Sequence, residues 1–274
     1  MKQQEKANIF RGLHKEAPLV LPNIWDVISA RMVEKAGASA LATTSAGISW
    51  SLGLPDGGHL TREVLCDVLR NIVRVTNLPV SADIERGYGA ETPEDVAQTV
   101  RMVLDAGVVG INLEDAKGPG GTMLRNPDAQ ADRIARARSA ATAMGCDLFI
   151  NARTDVYMVD SGLSAEEKVE AVAMRAALYA DAGADGMFVP GVTDIDTVRQ
   201  LAAQVAIPLN IMAMSGAPAH ATLAAVGAAR ISTGPALALG FAGYLQARTE
   251  QMLQTGTLPE AEIDPTFLEM NTVH

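Results

Sequence analysis

Three apolar segments of this chain run into residues that can bind a cation or a small anion. Val80-Ser81-Ala82 leads to Asp83 and, past Ile84, to Glu85. Val109-Gly110-Ile111-Asn112-Leu113 leads to Glu114 and Asp115, and Leu148-Phe149-Ile150-Asn151-Ala152 leads to Arg153. Carboxylate oxygens suit a hard divalent cation such as Mg²⁺ or Mn²⁺. A guanidinium presents a planar fork that matches a carboxylate or a phosphate. Like charges that converge at one rim are costly unless a cation sits among them. The set points to a metal-dependent enzyme for a small anionic substrate, with Asp83, Glu85 and Glu114 on the metal side and Arg153 as a substrate or catalytic contact. Glu114 is preferred to Asp115 because only one of two neighbours on a regular strand faces a given side. Asp155, two residues beyond Arg153, is expected to position it.

These groups share a rim only if the segments that carry them lie side by side with their C-terminal ends together. The sequence repeats a module that does this. An amphipathic helix ends in a small pair (Ala36-Gly37, Ala106-Gly107, Ala182-Gly183, Val226-Gly227), and a short apolar run follows. Glycine supplies the left-handed stop of a helix, and a run that is apolar on both faces fits a buried parallel strand. Strands are predicted near 18–22, 39–43, 79–83, 109–113, 148–152, 186–189, 208–212 and 229–232. Helices are predicted near 26–36, 61–75, 93–106, 128–144, 164–182, 194–204, 218–226 and 235–254. Eight strand–helix units predict an α/β fold of the (β/α)₈ TIM-barrel type, whose active site lies at the C-terminal ends of the strands. An open doubly wound sheet is the alternative. No linker divides residues 1–274, so one barrel domain with a C-terminal helical extension is expected, and residues 255–274, with Pro259 and Pro265, read as a tail packed against another surface.

Other residues are placed around this frame. Thr43-Thr44-Ser45-Ala46-Gly47 follows the second strand, and its small residues let backbone N–H groups approach an anion. Trp25 precedes Asp26, which is the natural N-cap of the first predicted helix, and Trp25 is a candidate for shaping the pocket. Asn210, on the seventh strand, is a further substrate-binding candidate. Lys117-Gly118-Pro119-Gly120-Gly121-Thr122 is either a lid or a mobile surface loop. The four histidines (His14, His59, His220 and His274) show no metal-ligand spacing and are expected to be capping or surface residues.

A net charge of −10 and a pI near 4.9 argue against nucleic acid or an anionic membrane as partner. No apolar run is long enough to span a bilayer, and the polar residues from Met1 to Lys15 lack the apolar stretch of a signal peptide. The two cysteines, Cys66 and Cys146, are expected to be unlinked in a reducing cytoplasm.

At several of these residues the chain resembles the isocitrate lyase/phosphoenolpyruvate mutase superfamily. The matching segments are Leu21 to Asp26, Thr44-Ser45-Ala46-Gly47, Leu52-Gly53-Leu54-Pro55-Asp56, Asp83 to Gly89, Ile111 to Asp115 and Ile150 to Asp155, in family order. The resemblance implies a barrel whose last helix swaps between subunits, often in a tetramer. It implies Mg²⁺ near Asp83, with Asp56, Glu85 and Glu114 helping through water. It also implies a 2-oxo acid or its enolate on the metal, its carboxylate held by Ser45, Ala46 and Gly47, with Arg153 stabilising the developing charge. One departure stands out. Carbon–carbon lyases of the superfamily carry Lys-Arg-Cys-Gly-His or a close variant in a mobile loop, where this chain has Lys117-Gly118-Pro119-Gly120-Gly121-Thr122.

The expectation is therefore a Mg²⁺-dependent lyase or decarboxylase for a small, oxaloacetate-like 2-oxo acid, distinct from the isocitrate and 2-methylisocitrate lyases. The alternatives are an enzyme of C–P bonds (mutase or hydrolase) and a 2-oxo acid binding protein without catalysis. Residues 235–247 are small and apolar almost all round. An outer helix of this kind needs a second cover, which predicts a homodimer or homotetramer built through the C-terminal helices.

Overall fold

The computed structural model describes residues 1–16, 18–258 and 270–271. Its elements in order are α1 (Gln3–Glu16), β1 (Leu19–Leu21), β2 (Asn23–Ile24), α2 (Val27–Lys35), β3 (Leu41–Thr43), α3 (Ser45–Ser51), α4 (Arg62–Arg74), β4 (Val80–Asp83), α5 (Pro93–Asp105), β5 (Gly110–Glu114), β6 (Ala116–Lys117), β7 (Met123–Leu124), α6 (Pro127–Ala143), β8 (Phe149–Arg153), α7 (Ala165–Asp181), β9 (Gly186–Val189), α8 (Ile195–Gln204), β10 (Leu209–Met212), α9 (His220–Ala225), β11 (Arg230–Ser232) and α10 (Ala236–Thr255).

The eight expected strands are all present, and they form a nearly closed parallel barrel ringed by helices. The first strand is divided. Leu19–Leu21 pairs with β11, and Asn23–Ile24 pairs with β3. Between them stands Pro22, which has no N–H to give to a ladder. The division lets one stretch of chain serve both edges, and the sheet order β1-β11-β10-β9-β8-β5-β4-β3-β2 closes on itself there. The helix stops are as expected: Gly107 and Gly183 adopt φ of 94° and 102°, a conformation costly for any residue with a Cβ.

Three elements escaped the sequence pattern. Helix α1 plugs the N-terminal end of the barrel. Phe10 is fully buried there, and a Cβ on Gly110 would come within 2.7 Å of its ring. Arg11 donates to the carbonyls of Asp147 and Leu148 at 3.2 and 3.1 Å, at the foot of β8. His14, expected at the surface, is instead buried and stacked on Phe149 with ring centroids 3.9 Å apart. Burial drives its pKa down to about 3. The stripe Ala7, Phe10 and His14 is too narrow, in a segment otherwise polar, to announce this role. Helix α3 begins at Ser45, within the small-residue stretch Thr43 to Gly47, where no helix was expected. The segment 117–122, expected to be a lid or a mobile surface loop, is the turn of a short β6–β7 hairpin and carries one tight helical turn at Pro119–Gly121.

The cysteines Cys66 and Cys146 are both free and buried. Among the described residues no helix is long and apolar enough to cross a membrane. Helix α10 exposes Leu239, Phe241, Tyr244 and Leu245 by 48%, 54%, 49% and 57%, so its apolar face is not covered by its own chain's described residues. Most of the tail that was expected to pack against another surface, including His274, lies outside the described residues. Within it, the Met270 carbonyl accepts a bond from Arg31 at 3.1 Å.

Candidate active site

Strand β4 ends at Asp83, which is buried, and the Asp83 backbone N–H donates to Thr43 Oγ1 at 2.9 Å. Its carboxylate receives the Glu85 N–H at 3.0 Å and also the Ser45 N–H. Burial nevertheless raises the Asp83 pKa, against the pull of Arg153. The chain then turns sharply. Glu85, Tyr88 and Glu91 hold φ of 47°, 59° and 59°, left-handed values that are strained for residues other than glycine. Tyr88 OH donates to Glu85 Oε1 at 3.1 Å, while Glu85 Oε2 is buried with no partner. Burial, with the charges of Asp83 and Asp56 added, pushes the Glu85 carboxyl up to about 7.

Strands β5 and β8 pair so that Glu114 lies beside Arg153. Arg153 Nη1 stands 2.9 Å from Glu114 Oε2, and its Nε donates to Asp155 Oδ1 at 2.8 Å. Burial works against the charge on Arg153, but Glu114, Asp155 and Asp83 outweigh it and raise its pKa. Burial likewise pushes Glu114 up, opposed by Arg153. Asp155 is therefore the positioning partner that its spacing suggested. Asp115 points the other way and is structural. It accepts from Thr154 Oγ1, the Asp155 N–H, Arg175 Nη1 and Tyr179 OH at 2.8 to 3.0 Å.

A cavity of about 210 Å³ opens at this rim. Asp56, Asp83, Ser45, Ala46, Asn112 and Arg153 all line it, so residues from β4, β5, β8 and the loops after β3 meet there as expected. Five expected residues do not line it: Glu114 is paired with Arg153 at its edge, and the other four sit elsewhere. Glu85 lines a neighbouring cavity of about 370 Å³ beside Tyr88, Arg62 and Arg86. Gly47 and Trp25 pack on each other: a Cβ on Gly47 would lie 2.9 Å from Trp25 Cβ. The Trp25 ring faces Phe241 of α10 at 6.0 Å. Asn210 is fully buried beneath the cavity, where its Oδ1 accepts from Asn151 at 3.0 Å and its Nδ2 donates to Ser232 Oγ at 3.0 Å. Its role is to hold the barrel interior, because the β10 register turns it inward.

Sequence reasoning missed the residues under and across this cavity. Asn112 Oδ1 accepts from Asn151 Nδ2 at 2.9 Å and from Arg230 Nη2 at 3.3 Å. Both acceptor directions are thereby used, and the amide N–H₂ of Asn112 is left toward the cavity. Met158, Phe188, Pro190, Met212 and Met214 supply the rest of much of the lining. The only sequence signal for them was their position just past predicted strand ends.

Among the described residues no group of three or more His, Cys, Asp or Glu side chains is arranged to hold a metal ion by itself. Glu114, expected on the metal side, is engaged by Arg153. The direct ligand set of Asp83, Glu85 and Glu114 is therefore not assembled. What the rim offers is one inward carboxylate, Asp83, with Asp56 beside it and Glu85 behind.

The model of the phosphoenolpyruvate phosphomutase family matches residues 10–253. A 2-methylisocitrate lyase of Halalkalibacterium halodurans is 34% identical over 214 residues, which cover 76% of this chain and 67% of that protein. Among solved structures, a Burkholderia cenocepacia protein provisionally assigned as a phosphonomutase is 46% identical with a TM-score of 0.86, covering 90% of this chain and 99% of that one. A 2,3-dimethylmalate lyase described as a member of the PEP mutase/isocitrate lyase superfamily is 27% identical with a TM-score of 0.84, covering 97% and 93%.

Proposed function

Because this chain belongs to the phosphoenolpyruvate phosphomutase family, we propose that it is a Mg²⁺-dependent lyase or decarboxylase acting on a small, oxaloacetate-like 2-oxo acid through an enolate. The observation that carries this reading is the meeting of Asp56, Asp83 and Arg153 at one cavity at the C-terminal rim of the barrel. Family relatives named as lyases support carbon–carbon chemistry.

The residues fit a divalent cation held mainly by Asp83, with Asp56, Glu85 and Glu114 contributing through water. The partnerless Glu85 Oε2 and the mutual repulsion of Asp83, Asp56 and Glu85 mark a place where positive charge is missing. When bound, Mg²⁺ polarises the 2-oxo group as a Lewis acid. Mn²⁺ would serve in its place.

The chain's own groups do the rest. Ser45 and Ala46 have side chains small enough to let the substrate carboxylate reach the backbone. Arg153 is held by Glu114 and Asp155 so that its remaining N–H groups face the cavity, where they meet the oxygen that gains charge. Donors fixed in this way before the reaction stabilise the transition state without reorganising. Asn112 adds a neutral donor, oriented by Arg230 and Asn151. The free, buried cysteines support a reducing cytoplasm as the working compartment.

Calorimetry with Mg²⁺, followed by assay of pyruvate release from oxaloacetate, tests the reading. Mg²⁺ binding that disappears in Asp83→Ala, together with release well above the rate with Mg²⁺ alone, is expected. Unchanged Mg²⁺ binding in Asp83→Ala would remove the metal assignment. Tight Mg²⁺ and 2-oxo acid binding without turnover would favour a binding protein.

A further inference from the structure

Asp56 reaches the cavity from a segment that does little to fix itself. Residues 55–60 lie between α3 and α4, and Pro55, Asp56, Gly58 and His59 are exposed, so burial does not hold them. Gly57 and Gly58 adopt φ of 92° and 95°. Two adjacent glycines leave the backbone the widest choice of conformations, and that freedom must be lost for Asp56 to stay at the rim. Among the described residues, these six make a single hydrogen bond, and it comes from outside the segment: Arg86 Nη2 donates to the Gly57 carbonyl at 3.2 Å.

The group that makes this bond is itself anchored. The Arg86 side chain is 11% exposed, and its Nε donates to Glu91 Oε1 at 2.6 Å. Glu91 Oε2 accepts from Arg125 Nη2 at 2.6 Å, and Arg125 gives its backbone N–H to the Asp115 carbonyl at 2.8 Å, just past β5. Arg133 of α6 donates to the Arg86 carbonyl. The guanidinium is thus tied to the body of the barrel before it reaches across to Gly57. The approach is close: a Cβ on Gly58 would come within 2.5 Å of Arg86 Nη2.

We infer that Arg86 is the positioning residue for Asp56: by gripping the next carbonyl along the chain, it holds the Asp56 carboxylate at the cavity rim. Arg86 does not line that cavity, so it acts through the loop. A lysine would keep the charge beside Glu91 but has no second nitrogen for the Gly57 carbonyl. The inference rests on the reading of Asp56 as a contributor to Mg²⁺ binding.

The sign of the effect separates this role from that of a nearby charge. Removing a cation close to a Mg²⁺ site relieves repulsion and tightens binding, whereas releasing Asp56 weakens it. The test is Mg²⁺ calorimetry on the full-length protein, comparing wild type, Arg86→Lys, Arg86→Met, Asp56→Asn and the two double variants. Each Arg86 variant is expected to weaken Mg²⁺ binding about tenfold or more, the usual cost of losing a group that orients a metal's partners. In the Asp56→Asn background neither should weaken it further, because a residue that acts through another adds nothing once that one is gone. Should Arg86→Met fail to fold, Arg86→Lys carries the same comparison. Unchanged or tighter binding in either Arg86 variant, or a loss that multiplies with that of Asp56→Asn, overturns this inference alone. Wild-type affinity in Asp56→Asn, or a wild-type protein that binds no Mg²⁺, overturns the reading of Asp56 and this inference with it.

Discussion

Arg153 Nη1 lies 2.9 Å from Glu114 Oε2 because β5 and β8 place the two residues opposite each other in register. The last residues of two adjacent parallel strands thus form an ion pair at the cavity rim, and Asp155 completes the grip from the loop beyond. The guanidinium is aimed before any ligand arrives. An ammonium in its place would keep the charge and lose the fork that spans the two carboxylates.

Arg153→Lys should therefore lower turnover about 100-fold, the loss typical of one preorganised donor, while the thermal midpoint moves little. Steady-state kinetics on the preferred 2-oxo acid decide the matter, and near-normal turnover would make Arg153 a structural residue.

Glu85 gives a pH prediction for the metal-free protein. Its pKa rises from 4.5 in the unfolded chain to about 7 in the folded one. Between these values the folded state holds a proton that the unfolded state has lost, so stability falls as pH rises through this window. Glu85→Gln should remove the penalty, stabilising the metal-free protein at pH 8 by on the order of 3 kcal/mol and hardly at all at pH 4. Urea unfolding at the two pH values measures the difference, and equal effects at both would contradict the assignment.

Asp115 and Glu114 are neighbours with opposite tasks. Asp115→Asn should leave Arg175 unpaired in the interior and cost about 3–5 kcal/mol in unfolding free energy. The folded fraction should keep its Michaelis constant, because Asp115 does not line the cavity. A large rise in the Michaelis constant at unchanged stability would place Asp115 in the site after all.

The 117–124 hairpin contains no cysteine, and Cys66 and Cys146 are buried elsewhere. Isocitrate and 2-methylisocitrate are expected to remain uncleaved. Glyoxylate, succinate or pyruvate appearing from them at about 1 per second or faster would refute this.

Helix α10 leaves Leu239, Phe241 and Leu245 exposed along one stretch. Exposed apolar patches of this kind mark contact surfaces, and a closed dimer or tetramer through these helices is expected. Light scattering should give a multiple of 28.8 kDa, falling to one chain in Phe241→Glu or on truncation before Pro235. A monomer at all concentrations would show that the helix is covered within one chain.

The strand–helix alternation was legible along the chain because buried parallel strands must be apolar on both faces and each helix must stop before the next strand, and both demands are local. The same holds for Asp83 and Arg153, since the residue that ends a barrel strand lies at the rim whatever surrounds it. Register and packing decided the rest. Glu114 meets Arg153 and Asp115 meets Arg175 because of β5–β8 pairing and the approach of α7, neither of which adjacent sequence records. Asn210 was a substrate-binding candidate from its strand alone, but its inward register commits it to Asn151 and Ser232. The plug formed by Phe10 and His14, and the apolar side built from Met158, Phe188, Met212 and Met214, arise from residues far apart in sequence that only closure of the barrel brings together.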